Sequence, residues 1–160
     1  MNNKLNISKW QWLQLGLVVV VLGILGFTRQ LLLVNINNQL SFLYYHKEIS
    51  YVVDSVSFIK EYDYATLMWA KWFLTIAYTL LYLISTLWVM RVLSFRKDYL
   101  KLTTLLFGGV VVLSALLYGG LSLFGESYIG YRLARFGMGL VQSPIPLMVL
   151  VPAMMLFERK

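Results

Sequence analysis

Four stretches of this 160-residue chain run without a single Asp, Glu, Lys or Arg: between Lys9 and Arg29, Lys71 and Arg91, Lys101 and Glu126, and Arg135 and Glu158. A helix that crosses the hydrocarbon core of a bilayer needs about 20 mostly apolar residues. Each stretch meets that need, so the pattern predicts an all-α membrane protein with four transmembrane helices. The expected spans cover about residues 10–33, 67–91, 101–124 and 132–157 of one integral membrane domain, 1–160. With 59% hydrophobic and only 13% charged residues, against about 25% charged in a soluble domain, a water-soluble fold is excluded. The first span reads as an uncleaved helix and not as a signal peptide. It is followed by no small-residue cleavage site, and the first alanine is Ala65. The run LLLV beyond Arg29 continues it, with Arg29 snorkelling to the headgroups.

Orientation follows from the basic residues near the span ends. With the N-terminus inside, Lys4, Lys9, Arg91, Arg96, Lys97, Lys101, Arg159 and Lys160 face the cytoplasm. Arg29, Lys47, Lys60, Lys71, Arg132 and Arg135 face outward. The dense RVLSFRKDYLK loop decides this assignment. Both termini are then cytoplasmic, and the net charge of +7 is mostly orientation, with +6 inside and +1 outside. Anionic membrane lipid accounts for the basic excess. Nothing resembles a nucleic-acid module, in which a basic face is interleaved with exposed aromatics.

The outer loop, about residues 34–66, carries Ile49, Val52, Val53, Val56 and Ile59 at helical spacing, opposite Ser50, Asp54, Ser57 and Glu61. That pattern predicts a short amphipathic helix lying in the interface, although its β-branched content also suits a short strand. It would either join two spans or cap a site and dock a partner. Tyr44, Tyr45, Tyr51, Tyr62, Tyr64, Trp69 and Trp72 form an expected outer aromatic belt, and Trp10 and Trp12 mark the inner surface.

Few residues can carry chemistry. With no cysteine and one histidine, thiolate and histidine-cluster metal sites are excluded, and neither a metal nor a cofactor is expected. His46, in YYHKE, reads as an interfacial histidine; an interfacial enzyme would have to use it as a base. Glu61 and Asp63 are two apart and read as a solvated loop, not as an acid–base pair. Gly108–Gly109 and Gly119–Gly120 are expected to form one helix-packing face with Ser114 and Ala115, with Gly23 and Gly26 opposite them.

The stretch ESYIGYRLARFGMGLVQSPIPLMVLVP is the most informative. Arg132 and Arg135 share a helix face at the outer mouth, where the charge rule disfavours cations. Gln142, Ser143 and Pro144 follow deeper, with Pro146 beyond. Proline disrupts the preceding turn, and Ser143 is placed to cap a fresh helix with Pro144 at its first position. One reading is a polar, cationic recess that binds a partner through Arg132, Arg135, Gln142, Ser143 and Pro144. The other has both arginines snorkelling to phosphates or pairing with Glu126 and loop acids.

This C-terminal stretch resembles the end of the small membrane proteins associated with bacterial exosortases. Those end with an arginine pair before Phe, then Gln-x-Pro, a Leu-rich run with a further Pro, and a short basic tail. The matching residues are Arg132, Arg135 and Phe136, then Gln142, Ser143 and Pro144, then Pro152 and FERK. The likeness covers about the last 30 residues and the four-span plan. One branch of the group carries an aromatic–Asp–Pro motif early in its outer loop. This chain has no proline before Pro144, so the exosortase X-type system associates are the closer comparison. The resemblance implies a bacterial inner-membrane location and an exosortase-like membrane protein partner. Exosortases process the sorting tails of exported proteins with cysteine, arginine and histidine. A chain without cysteine would therefore be a non-enzymatic accessory subunit. The competing reading is a small-molecule or ion carrier with its site at the broken fourth helix, using Ser85, Thr86, Thr103, Thr104 and Gln142.

Overall fold

The computed structural model describes residues 8–46, 49–93, 95–125 and 127–158. Lys4, Lys47, Glu48, Glu126, Arg159 and Lys160, which enter the charge reading, lie outside the described residues. The chain is all-helical, with no strand among the described residues. Helix α1 covers Lys9–Tyr45, a 3-10 helix Asp54–Glu61, α2 Tyr64–Val92, α3 Lys97–Leu123, α4 Ser127–Val141 and α5 Ile145–Glu158. Helices α1, α2 and α3 are each long and apolar enough to cross a membrane. Helices α4 and α5 meet that test only as a pair, Tyr128–Val141 and Ile145–Leu156, bent by 56°. The expected strand alternative for the loop is thereby removed.

The helices divide into two compact units, Gly23–Leu80 and Met1–Leu22 with Leu81–Lys160. In the first unit, α1 does not stop near residue 33 but runs on to Tyr45. At 37 residues it is about 55 Å long, against a hydrocarbon core of about 30 Å. The segment expected to be a loop over 34–66 is therefore largely helix. It turns at His46, whose φ of 48° puts a non-glycine residue in the left-handed conformation that commonly ends a helix.

The loop helix also differs from its expected form. It is an eight-residue 3-10 helix interrupted at Val56, and its apolar side is covered by protein. Val52, Val56 and Ile59 are buried in a cluster with Ile36 and Leu40 of α1 and Leu67 of α2, with Leu31, Leu32, Leu43 and Leu74 around it. Val53 and Ile49, assigned to the same apolar face, are exposed. The geometry explains the split. The residues up to Val53 are extended and present alternate side chains, so Val52 goes in and Val53 out.

In the second unit, the start of α1 is a capping box. The Ser8 amide donates to Gln11 Oε1 at 2.8 Å and the Gln11 amide to Ser8 Oγ at 3.3 Å. Gln11 Nε2 then donates to the Val92 carbonyl at the end of α2 (2.8 Å). Helices α3 and α4 form a close antiparallel pair joined through Gly125, whose φ of +82° suits only glycine without strain. The contact uses glycines other than the expected ones. A Cβ on Gly130 would lie 3.0 Å from both the Leu117 carbonyl oxygen and Leu121 Cβ, and one on Gly137 would lie 2.6 Å from Ser114 Oγ. Gly130 and Gly137 are seven apart, two helical turns, so both meet the same stripe of α3. Around Gly23, Gly108, Gly109, Gly119 and Gly120, by contrast, a Cβ would meet nothing within 4 Å. The expected glycine face of α3 is thus open in this chain, because α4 packs on Val110, Ser114, Leu117 and Leu121 instead.

Candidate functional site

The C-terminal site is built on α4 and the break that follows it. At 100° per residue, Tyr128, Arg132 and Arg135 fall on one face of α4, and Gly130, Gly137 and Val141 on the opposite one. Packing the glycine face on α3 leaves both arginines exposed. The Arg132 guanidinium stands over the Tyr128 ring, 5.7 Å from its centroid, in a cation–π contact. No described acid pairs with either arginine. Glu126, the nearest acid in sequence, lies outside the described residues.

The break is assembled locally. Pro144 lacks the N–H that the Leu140 carbonyl would accept, and the Ser143 hydroxyl replaces it, donating to Leu140 O at 2.7 Å. The same oxygen accepts the Ile145 amide at 3.3 Å. Ser143 thus closes α4 and accepts the amide of Ile145, the first residue of α5; Pro144 stands just before that helix, not at its first position as expected, and its carbonyl accepts the Met148 amide at 3.0 Å. Gln142 is buried, and its amide completes α4 by donating to the Met138 carbonyl (3.0 Å). The five predicted residues therefore separate into two groups. Arg132 and Arg135 form an exposed cationic face, whereas Gln142, Ser143 and Pro144 form the covered hinge about two turns away.

A second constellation escaped the sequence reading. Asn35, Asn38 and Gln39 lie on one face of α1 and bind the extended segment 50–53. The Val53 amide donates to Asn35 Oδ1 (2.8 Å), Asn38 Nδ2 to the Tyr51 carbonyl (3.1 Å), and the Ser50 hydroxyl to Gln39 Oε1 (2.7 Å). The register is antiparallel, 35 with 53 and 39 with 50. Asn35 and Gln39 are both buried. The signal was the polar run NINNQ inside a helix, with amides at i, i+3 and i+4.

The remaining candidates are structural. His46 is exposed and terminates α1. Asp63 caps α2, with Oδ1 accepting the Thr66 amide at 3.3 Å. The Thr66 side-chain hydrogen bond, followed by amides of the first turn, holds its carboxyl below the usual range. The hydroxyls proposed for a carrier site are directed inward on their own helices. Ser85 donates to Leu81 O, Thr86 to Tyr82 O, Thr103 to Tyr99 O and Thr104 to Leu100 O, at 2.8–3.0 Å. The seven rings expected to form an outer belt, from Tyr44 to Trp72, are all exposed, as are Trp10 and Trp12 at the start of α1. Comparison with protein-family models, curated proteins and solved structures finds no match to this chain.

Proposed function

We propose that this protein is a four-span accessory subunit of an exosortase-type sorting system, without catalytic activity of its own, that binds the enzyme or its substrate tail through α4. The observation that carries the reading is the Arg132/Arg135 face, which is turned away from α3 and satisfied by no described acid. Guanidinium groups bind carboxylates through paired N–H donors, so an acidic partner group is the fitting ligand. The C-terminal resemblance supplies the class of partner. Helices α4 and α5 act as one bent span. A 56° bend leaves the second limb advancing, and the two limbs reach about 30 Å along the first, which is the core thickness. The basic residues near the span ends favour cytoplasmic termini, and the C-terminal resemblance implies a bacterial inner membrane.

Affinity isolation in mild detergent tests the reading. The wild-type chain is expected to recover an exosortase-like protein, and Arg132→Gln/Arg135→Gln to lose it. Equal recovery by both proteins, or unchanged sorting after deletion, overturns it. A reporter after Lys160 that reads as external overturns the topology. The carrier reading is disfavoured because the span hydroxyls donate to their own helices, which leaves no carboxylate and few free donors for cargo.

A further inference from the structure

Between the C-terminal part of α2 and the N-terminal part of α3 lies an open groove of about 930 Å³, within the range of ligand clefts. Its walls are mostly apolar: Ile84, Leu87 and Trp88 from α2, and Leu100 and Leu105 from α3, with Thr104 between them, whose hydroxyl donates to the Leu100 carbonyl. Arg91 and Lys101 stand at one end, the end nearest the turn between the two helices. Both are exposed, and among the described residues neither forms an ion pair; the one ion pair in this turn joins Arg96 to Asp98 (3.4 Å). Helix dipoles do not explain the two cations together. Arg91 complements the C-terminus of α2, but Lys101, past the first turn of α3, gains nothing from a helix end. Two exposed cations at one end and apolar walls running away from them match an amphiphile with an anionic head.

We infer that this groove is a binding site for an anionic phospholipid, its phosphate held by Arg91 and Lys101 and an acyl chain lying along Ile84, Leu87 and Leu105. Charge complementarity selects this occupant. A partner helix would fill the apolar walls but leave the two cations facing each other, and free phosphate would leave the walls uncovered. Trp88, exposed beside Arg91, places an indole at the headgroup level, where such rings concentrate. Basic clefts between spans are the sites where membrane proteins hold anionic headgroups. The site is independent of the Arg132/Arg135 face and of any exosortase partner.

Native mass spectrometry of the full chain, exchanged from detergent into defined phosphatidylglycerol or phosphatidylcholine, tests the inference. The wild-type chain is expected to retain phosphatidylglycerol preferentially. Arg91→Gln/Lys101→Gln is expected to lower that preference roughly 30-fold, the contribution of two juxtamembrane cations. Arg96→Gln/Lys97→Gln, in the same turn but off the groove, should keep the preference. Ile84→Trp keeps both cations and fills the groove, so it should release the lipid. Equal loss in both charge variants would mean a diffuse surface effect and overturns the site. So does retention by Ile84→Trp, or a dimer of this chain that Ile84→Trp disrupts.

Discussion

Two parts of this chain leave regular helix, and they satisfy their freed backbone in opposite ways. At residues 142–144, Ser143 replaces the donor that Pro144 lacks and caps the next helix, so every partner lies within three residues. At residues 50–53, the partners are Asn35, Asn38 and Gln39, 11 to 18 residues away on another element. The first device makes a bend that survives changes elsewhere. The second holds a segment only while α1 and the loop remain packed, because each buried amide serves as the partner of another chain segment. The α4 break is therefore a built-in shape of the chain, and the fastened loop is a tertiary contact.

The comparison breaks most sharply at the loop. Asn35→Leu/Gln39→Leu removes the acceptors of the Val53 amide and the Ser50 hydroxyl and should destabilise Gly23–Leu80 by about 3 kcal/mol. Proteolysis across residues 46–53 and hydrogen exchange at Val53 should both accelerate. If neither changes, the amides do not fasten the loop. Gly130→Leu is next. It drives a side chain against the Leu117 carbonyl, and overpacking of this kind costs about 2 kcal/mol, read as a lower melting temperature and weaker α3–α4 protection. Ser143→Ala should cost about 1 kcal/mol and leave Pro144 to impose the bend alone. A distance between spin labels on α4 and α5 that stays constant would show that the bend is local; straightening would show that Ser143 sets it.

The smallest effect concerns pH. Asp63 is held below its ordinary range by Thr66 and the first turn of α2, so its cap is present above the unfolded pKa. Its contribution falls away as pH drops through the lower folded value. Asp63→Asn should flatten acid sensitivity at the start of α2 while leaving neutral-pH behaviour nearly unchanged. Amide exchange of Ala65 and Thr66 against pH measures it.

Much of the fold was legible in order along the chain. Charge-free runs located α1, α2 and α3 to within a few residues at most ends, because the cost of a charge in hydrocarbon is local. Ser143 and Pro144 declare the break because a missing backbone donor is local too. Three features depended on which faces meet. The amphipathic loop pattern does form a short helix, but what covers its apolar side is protein: Val52, Val56 and Ile59 are buried between α1 and α2. The helix runs past the expected span end near residue 33, through asparagines that are poor helix formers. Asn35 and Asn37 return donors to the Leu31 and Leu33 carbonyls, and α1 continues. The paired glycines of α3 drew attention, while the single glycines of α4 made the contact.

The sequence by itself determined that this chain is helical, which of its helices are long and apolar enough to cross a membrane, and where the break between α4 and α5 falls. Those properties follow from solvation and backbone chemistry, which act residue by residue. Only the tertiary structure decided which face of α3 receives α4, what the amides of α1 hold, and that Arg132 and Arg135 stand apart from the buried Gln142. Such choices depend on side-chain volumes and partners from distant parts of the chain, and no local pattern records them.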